Sequence, residues 1–420
     1  MRRDPNQVTF RVLHVLDHSW PVADGYAQRS RSIVTAQMQV GMRPSVLTGP
    51  LHEQDDPFAS EFSLDGVRYL RTPHKSGLAG RAIQSRWPLF RELGVVRLLR
   101  QRIELLLRQE QFDIIHAHSP ALCGLAVAQA ARSCGVPFVY EVRAFWEDAA
   151  VDQNKTGSKS IRYTVSRRLE THVLRKADAI VGIARPLLED IRGRGISASK
   201  LFHVPNGVDT SRFAPQGRDT VLAGKLGLNE GHTLGFVGTL FPWEGIAWLV
   251  GAVSELRKSD IEFKLVIVGD GADASEVKKA IQECNAGSYV SFIGRVPHDQ
   301  VERYYSVMDV MVYPRRSGRL TELVTPLKPL EAMALGKAIL GSGVGGIREL
   351  IEAEVTGVLF KPGDVEEFVQ QATRLLKDEN LRRSLGERAR QRVTQEKDWK
   401  ALALKYESVY AAASHSASSR

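Results

Sequence analysis

Lys328 and Glu331 stand three residues apart in the segment TPLKPLEAMALGK, which has the composition of a short helix entered from a loop. Pro329 suits the first turn, where its missing N–H has no helical partner to lose. Gly336 is placed to end the helix in a left-handed conformation. A strand run, AILGS, follows, and Gly345 and Gly346 open a second helix, GIRELI. Helix N-termini at the carboxyl edge of parallel strands present unpaired N–H groups and positive partial charge, which suits an anion. Lys328 adds a full charge and Glu331 two acceptor oxygens, a pairing that fits a phosphate beside a diol, as in a nucleotide ribose. The same two residues also satisfy a plain helix start with Lys328 in water, and the segment alone does not choose. A second candidate group lies in the N-terminal half. His116 and His118 of FDIIHAH fall on one face of a strand, and His118, nearer its carboxyl end, is the candidate for substrate contact. His116 reads equally as a satisfied core histidine. After the next strand comes Arg143-Ala-Phe-Trp-Glu-Asp148, a loop dense in charge and aromatics.

The elements that position these groups alternate. Strand-like runs FRVLHVLD, PSVLTGP, VRYLRTP, FDIIHAH, PFVYEV and ADAIVGIA are separated by helical segments. After a turn-rich linker, PNGVDTSRFAPQG, the alternation restarts with LGFVGTL, FKLVIVGDG, YVSFIGRV, VMVYPR and AILGS. Continuous apolar strands alternating with helices imply parallel sheets covered on both faces. Two such series imply an α/β protein of two doubly wound, Rossmann-like domains facing an interdomain cleft. The expected division is 1–210 and 211–395, with a helix over 396–412 crossing back to the first domain and a flexible tail over 413–420.

The 420 residues suffice for two domains, and 57 Lys+Arg against 48 Asp+Glu give a net charge of +9, which favours anionic partners. Three cysteines, Cys123, Cys134 and Cys284, without C-x-x-C spacing, argue against a disulfide framework or zinc site and fit a reducing cytosol. No signal-like N-terminus and no run of about 18 apolar residues is present, so a cytoplasmic chain is expected. Walker, H-E-x-x-H and G-x-S-x-G motifs are absent, and no nucleic-acid partner is expected. Residues 81–108 carry seven Arg against Glu92 and Glu104, with Trp87, Leu89 and Phe90 on another side. This basic amphipathic segment suits an anionic membrane surface, or a sheet-covering helix with a solvated edge. The second reading is the better supported by pattern alone.

Taken in order, GY after the first strand, DIIHAHSP, VPNGVD, GFVGTL…EGI, VIVGDG, SFIGRV, LEAMALGKAIL…GVGGIREL and TGVLF resemble the GT-B glycosyltransferases of glycosyltransferase family 4. HVLDHSWPVADGYAQRSRSI, EVRAFWED and ELVTPLKPLEAMALGK resemble the branch associated with exosortase A and PEP-CTERM proteins. The resemblance implies a UDP- or GDP-linked nucleotide-sugar donor held by the C-terminal domain, with transfer to a glycan or polyprenyl-linked acceptor in cell-surface polysaccharide synthesis. It implies retention at the anomeric carbon, no cofactor, and no metal at the donor. By position, Glu331 resembles the glutamate that takes the ribose hydroxyls, and Arg295 and Val296 the backbone edge that meets the base. Thr325, Leu327 and Lys328 resemble the loop around diphosphate and sugar, and Gly25 the glycine that lets the diphosphate approach the first helix. His118 matches the D-x-x-H-x-H motif near the donor sugar.

Three departures stand out. Leu323 lies eight positions before Glu331 where the family has a paired glutamate, so Glu322, one step off, is the candidate acid. Thr239 and Glu244 follow Gly238 where the family has Arg and Lys, and Arg143 replaces a histidine after the fifth strand. His118, Glu322 and Arg143 are therefore the candidate catalytic residues. Lys328, Arg319 and Arg29 are expected to offset the diphosphate in place of the missing cations. A nucleotide-sugar 2-epimerase of the same architecture, or a non-catalytic nucleotide-sugar-binding protein, is the competing reading.

Overall fold

In the computed structural model, which describes residues 10–418 except 23, 53–60, 74–76, 153–156, 158, 229–231 and 260, the chain divides into two compact units. One comprises Met1–Pro205 with Trp399–Arg420, the other Asn206–Asp398. The first is built on strands β1 (Arg11–Leu16), β2 (Arg43–Thr48), β3 (Glu61–Leu64), β4 (Val67–Arg71), β5 (Ile114–His118), β6 (Phe138–Val142), β7 (Ala179–Gly182) and β8 (Leu201–His203). They lie in the order β3-β4-β2-β1-β5-β6-β7-β8, parallel except for the β3–β4 hairpin at the edge. The second is built on β9 (Thr233–Val237), β10 (Lys264–Val268), β11 (Val290–Gly294), β12 (Val310–Tyr313), β13 (Ala338–Ser342) and β14 (Val358–Phe360), ordered β11-β10-β9-β12-β13-β14 and parallel throughout. The apolar runs explain the parallel pairing. Crossover helices cover both faces of such a sheet, so IIHAH, FVYEV and AILGS are buried at every position.

Strand order reverses between β1 and β5 in one sheet and between β9 and β12 in the other. Loops from the two sides part company at those points and leave a crevice at the carboxyl ends, where ligands bind in open α/β sheets. In the second unit the crevice walls are held by backbone contact. Gly269 adopts φ +144°, and a Cβ there would lie 1.8 Å from the Gly238 carbonyl oxygen. A Cβ on Gly346 would lie 2.1 Å from the carbonyl oxygen of Val324. Side chains at these positions would push apart the loops that carry Gly238 and Thr325.

The last helix, Trp399–Ser418, belongs to the first unit, with Leu402, Tyr406, Val409, Tyr410 and Ala413 buried in a cluster with Val12, Ile33, Ile114 and Val139. It continues to Ser418, past residue 412, where a tail was expected. The basic segment 81–108 is two helices, Gly77–Ile83 and Pro88–Gln109. The longer one buries Val95, Val96, Leu99, Ile103 and Leu106, as a sheet-covering helix does, but leaves Trp87, Leu89, Phe90 and Leu93 exposed at its start.

Glu170, on the helix Ile161–Lys176, is buried, and burial pushes its carboxyl up to about 8, with the neighbouring Glu147 raising it further. The folded state therefore holds this proton over a range where the unfolded chain has released it. Stability from this group is greatest at acid pH and declines as pH rises from about 4.5 to about 8. Glu170→Gln is expected to remove that slope and raise stability at pH 8.5 by about 3–5 kcal/mol, read as melting temperature against pH. Parallel pH profiles for the two proteins would contradict it.

Candidate nucleotide-sugar site

In the second unit Gly238 and Thr239 follow β9, and Pro314 and Arg315 follow β12, at the strand-order reversal. The helix Lys328–Ala334 starts beside it: Lys328 Cγ lies 3.6 Å from where a Gly238 Cβ would be. Lys328 Nζ bonds both carboxylate oxygens of Glu331, at 3.0 and 3.1 Å, and the buried Tyr305 hydroxyl donates to Glu331 Oε2 at 3.1 Å. Burial, with the Glu331 charge second, pushes the Tyr305 phenol well above its usual range, so it remains a donor. The pair is not sealed: the Lys328 side chain is 33% exposed and that of Glu331 12%. A cation and a carboxylate are thus fixed within one helical turn at the open end of the sheet.

The loop before that helix is held from inside. Asn206 Nδ2 donates to the Thr325 carbonyl at 2.7 Å and to its hydroxyl at 3.1 Å. Thr325, expected to meet the diphosphate, is buried, and its side chain serves the loop instead. Leu327, half-buried, is the N-cap residue of the helix. Glu322 Oε2 accepts from the Gly345 N–H at 2.8 Å and from Arg348 Nη2 at 3.2 Å, while Ser317 donates to Oε1. The Gly345 amide, expected to await an anion, is therefore capped by the chain's own carboxylate, and its helix is only Gly345–Arg348. Glu244, standing where a cation was expected, is neutralised by Arg315 at 3.3 Å. Thr239, Arg295 and Arg319 are exposed, and Val296 packs partly into the core.

Two family models match the chain: "Glycosyl transferase 4-like domain" over residues 24–207 and "Glycosyl transferases group 1" over 222–392. Between them they span most of both units. The chain belongs to glycosyltransferase family 4. It is 28% identical over 384 residues to a GDP-mannose-dependent alpha-mannosyltransferase of Mycobacterium tuberculosis, covering 90% of this chain and 91% of the relative. It is 27% identical over 279 residues to 2-deoxystreptamine glucosyltransferase of Streptomyces kanamyceticus, covering 65% and 70%. Its structure matches sucrose-phosphate synthase from Thermosynechococcus elongatus with a TM-score of 0.75 at 21% identity, covering 96% and 98% of the two chains. It matches Anabaena HepE in complex with UDP-glucose with a TM-score of 0.74 at 17% identity, covering 95% and 99%. The fold is GT-B.

In the N-terminal unit of this glycosyltransferase, Gly25 opens the helix Gly25–Gln39, capped by Asp24, whose Oδ1 accepts from the Ala27 N–H at 2.8 Å. His18 bridges Asp17 at 3.0 Å and Asp24 at 2.7 Å. Burial opposes its charge, but the two carboxylates outweigh that and raise it to about 9. His18 is thus a cation at neutral pH. Reading the sequence passed over it, although Asp17, His18 and Asp24 within one turn-rich loop were the available signal.

Arg29 was expected to offset the diphosphate. It is instead buried, with Nε on Glu141 Oε1 at 3.1 Å and its Nη atoms on the carbonyls of Val204 and Pro205 at 3.3 Å. Its charge is already answered inside the unit. Arg143 is buried too: Nε reaches Glu141 Oε1 at 3.2 Å, Nη1 the Tyr26 carbonyl and Ser30 hydroxyl, and Nη2 the His118 Nδ1 at 2.8 Å. His118, expected to touch the donor sugar, is fully buried behind Arg143, with its other ring nitrogen 3.0 Å from His14 Nδ1. Both side chains therefore lie within the fold, with their polar atoms engaged. Glu141, which the sequence did not single out, is their common partner.

Proposed function

We propose that the protein is a retaining hexosyltransferase that takes a UDP- or GDP-linked sugar and passes it to a glycan or polyprenyl-linked acceptor in cell-surface polysaccharide assembly. The observation that carries this reading is the Lys328–Glu331 pair beside Gly238, at the strand-order reversal of the C-terminal unit. Glu331 accepts the two ribose hydroxyls, while Lys328, with Arg319, faces the diphosphate. As the anomeric C–O bond breaks, charge collects on the leaving phosphate, and preorganised cations and amides stabilise it. The acceptor hydroxyl attacks from the same face, and the departing phosphate takes its proton. The protein then supplies position and electrostatics rather than a strong base.

The test is a panel of nucleotide sugars offered to the purified chain, read as thermal shift and as slow nucleoside diphosphate release. Stabilisation by one nucleotide class with release is expected. Interconversion of sugars without release would indicate an epimerase, and binding without turnover a non-catalytic protein. Lys328→Ala is expected to weaken donor binding about 10-fold or more, as loss of a charge-assisted bond does; unchanged affinity would remove Lys328 from the site.

The acceptor reading places the protein peripherally on the cytoplasmic membrane face. Its support is the start of the helix Pro88–Gln109, where Trp87 is 71% exposed and Leu89, Phe90 and Leu93 are also open, among exposed Arg81, Arg86, Arg91 and Arg97. Aromatic insertion with arginine at anionic headgroups gives about 1 kcal/mol per cation. The full chain is expected to sediment with vesicles containing anionic lipid, weakly with neutral ones, and with about 30-fold lower affinity after Arg86→Ala with Arg91→Ala. Equal sedimentation with both vesicle types would count against it.

A further inference from the structure

Strand register places His14 of β1 beside His116 of β5, and His118 of β5 beside Glu141 of β6, all on one face of the sheet. The helices Gly25–Gln39 and Trp399–Ser418 bring Gln37 and Tyr410 to the same buried cluster. The polarity of every bond there can be worked out, because arginine has no acceptor and a neutral imidazole has one donor and one acceptor nitrogen. Arg143 Nη2 donates to His118 Nδ1 at 2.8 Å, so the His118 proton sits on Nε2. That proton is donated to His14 Nδ1 at 3.0 Å, which puts the His14 proton on Nε2, facing Gln37 Oε1 at 2.8 Å. Gln37 Nε2 donates to the Tyr410 hydroxyl at 2.7 Å, and Tyr410 donates to His116 Nδ1 at 3.0 Å. The His116 Nε2–H then points toward Glu141 Oε2, 3.6 Å away, the same oxygen that takes the Tyr406 hydroxyl at 2.5 Å. The sequence of bonds runs from Arg143 to His116, whose Nε2–H faces Glu141 without a hydrogen bond of its own, while Arg143 and Glu141 are paired directly at 3.2 Å.

We infer that His14, His116 and His118 form a relay of one polarity that transmits the seating of the C-terminal helix to Arg143, making Gln37 and Tyr410 positioning residues for the proposed transfer. Arg143 in turn holds the Tyr26 carbonyl and Ser30 hydroxyl, in the first turns of the helix that Gly25 opens. Chain at the far C-terminus thereby sets the placement of the loop and helix start at the strand-order reversal of the first unit. Two guanidiniums, Arg29 and Arg143, face one carboxylate, Glu141, so a histidinium would add to an existing excess of positive charge. Burial, then Arg143, lowers His118 to about 3, and burial lowers His14 to about 4. The three ring nitrogens that converge within 4.8 Å resemble a metal-ligand set. In this relay, however, the lone pair of each ring is already occupied by Arg143, His118 or Tyr410.

The experiment is ring-nitrogen NMR of the full chain labelled at histidine. All three rings are expected as neutral Nε2–H tautomers from pH 8 down to pH 5, with no change on adding zinc. Arg143→Met leaves one guanidinium to one carboxylate, and its melting temperature is measured alongside to establish that the fold is retained. His118 Nδ1, 3.3 Å from Glu141 Oε1, is then free to donate. His118 and also His14, which Arg143 does not touch, are expected to invert to Nδ1–H, with the Gln37 amide turned over so that its Nε2 donates to His14 Nε2, while Arg143→Lys keeps the wild-type pattern. A wild-type Nδ1–H tautomer, a histidinium at pH 6, zinc shifts on these rings, or an unchanged His14 in Arg143→Met overturns the relay. The positioning role rests on the transferase reading and is measured separately. Gln37→Leu and Tyr410→Phe are expected to lower kcat on the order of tenfold, with donor KM within about twofold. Unchanged kcat in both overturns positioning while leaving the transferase; wild type that turns over no nucleotide sugar overturns the transferase and with it the positioning role, leaving the relay to the NMR result.

Discussion

Glu141→Ala is expected to leave the N-terminal unit close to unfolding at ambient temperature. Glu141 is fully buried, and its Oε1 is shared by the guanidiniums of Arg29 and Arg143, while Tyr406 donates to Oε2. Burial alone would raise this carboxyl, but Arg29 foremost among the neighbouring charges holds it well below its usual range. Removing one member of a buried ionic cluster leaves the rest desolvated and unpaired, about 3–5 kcal/mol, against a total stability of about 5–15 kcal/mol. Denaturant unfolding followed by tyrosine and tryptophan fluorescence reads the loss. Adding Arg143→Met to Glu141→Gln is expected to recover part of it, since one cation then remains rather than two. Additive losses in that double variant would mean that the two side chains do not act as a unit. The depressed carboxyl also fixes a pH dependence. The stability Glu141 contributes is present above the unfolded carboxylate range, near pH 4–5, and is lost as pH falls through the folded value.

The second large effect is on binding rather than folding. Glu331→Ala is expected to lower donor affinity by about 10- to 100-fold, since a carboxylate that takes a ribose diol makes charged hydrogen bonds of about 1.5–3 kcal/mol. Titration of the nucleotide alone, without the sugar, isolates this term. The substitution also strips Lys328 and Tyr305 of their shared partner, so melting temperature must be measured alongside. Glu331→Gln keeps the hydrogen-bonding shape and loses the charge; it is expected to fall between wild type and alanine. Full donor affinity in the alanine variant with an intact fold would leave the Lys328–Glu331 pair as a helix-start ion pair and nothing more.

Both effects arise from residues whose neighbours differ in how far away they are in the chain, and that difference decides what could be read in advance. Lys328 and Glu331 are three apart on one helix, so their pairing follows from local geometry, as does the end of that helix at Gly336 with φ +71°. The strand runs and their alternation with helices were equally legible, because parallel strands covered on both faces must be apolar along their length. The same local logic failed at Gly345, where Glu322 folds back over 23 residues to cap the amide expected to hold an anion. At Arg29, Arg143 and His118, where helix-start and strand-end positions and the family resemblance suggested contact with substrate, the structure buries all three side chains.

What reversed those expectations is Glu141, brought 112 residues from Arg29, and Tyr406, brought 265 residues from Glu141. By itself the sequence determined which segments become strands and helices, and which charges lie side by side on them, because period and spacing act within a few turns of chain. Only the tertiary structure decided which charges meet water and which meet each other, because strand register and the return of the C-terminal helix set burial and partners. No local pattern encodes either.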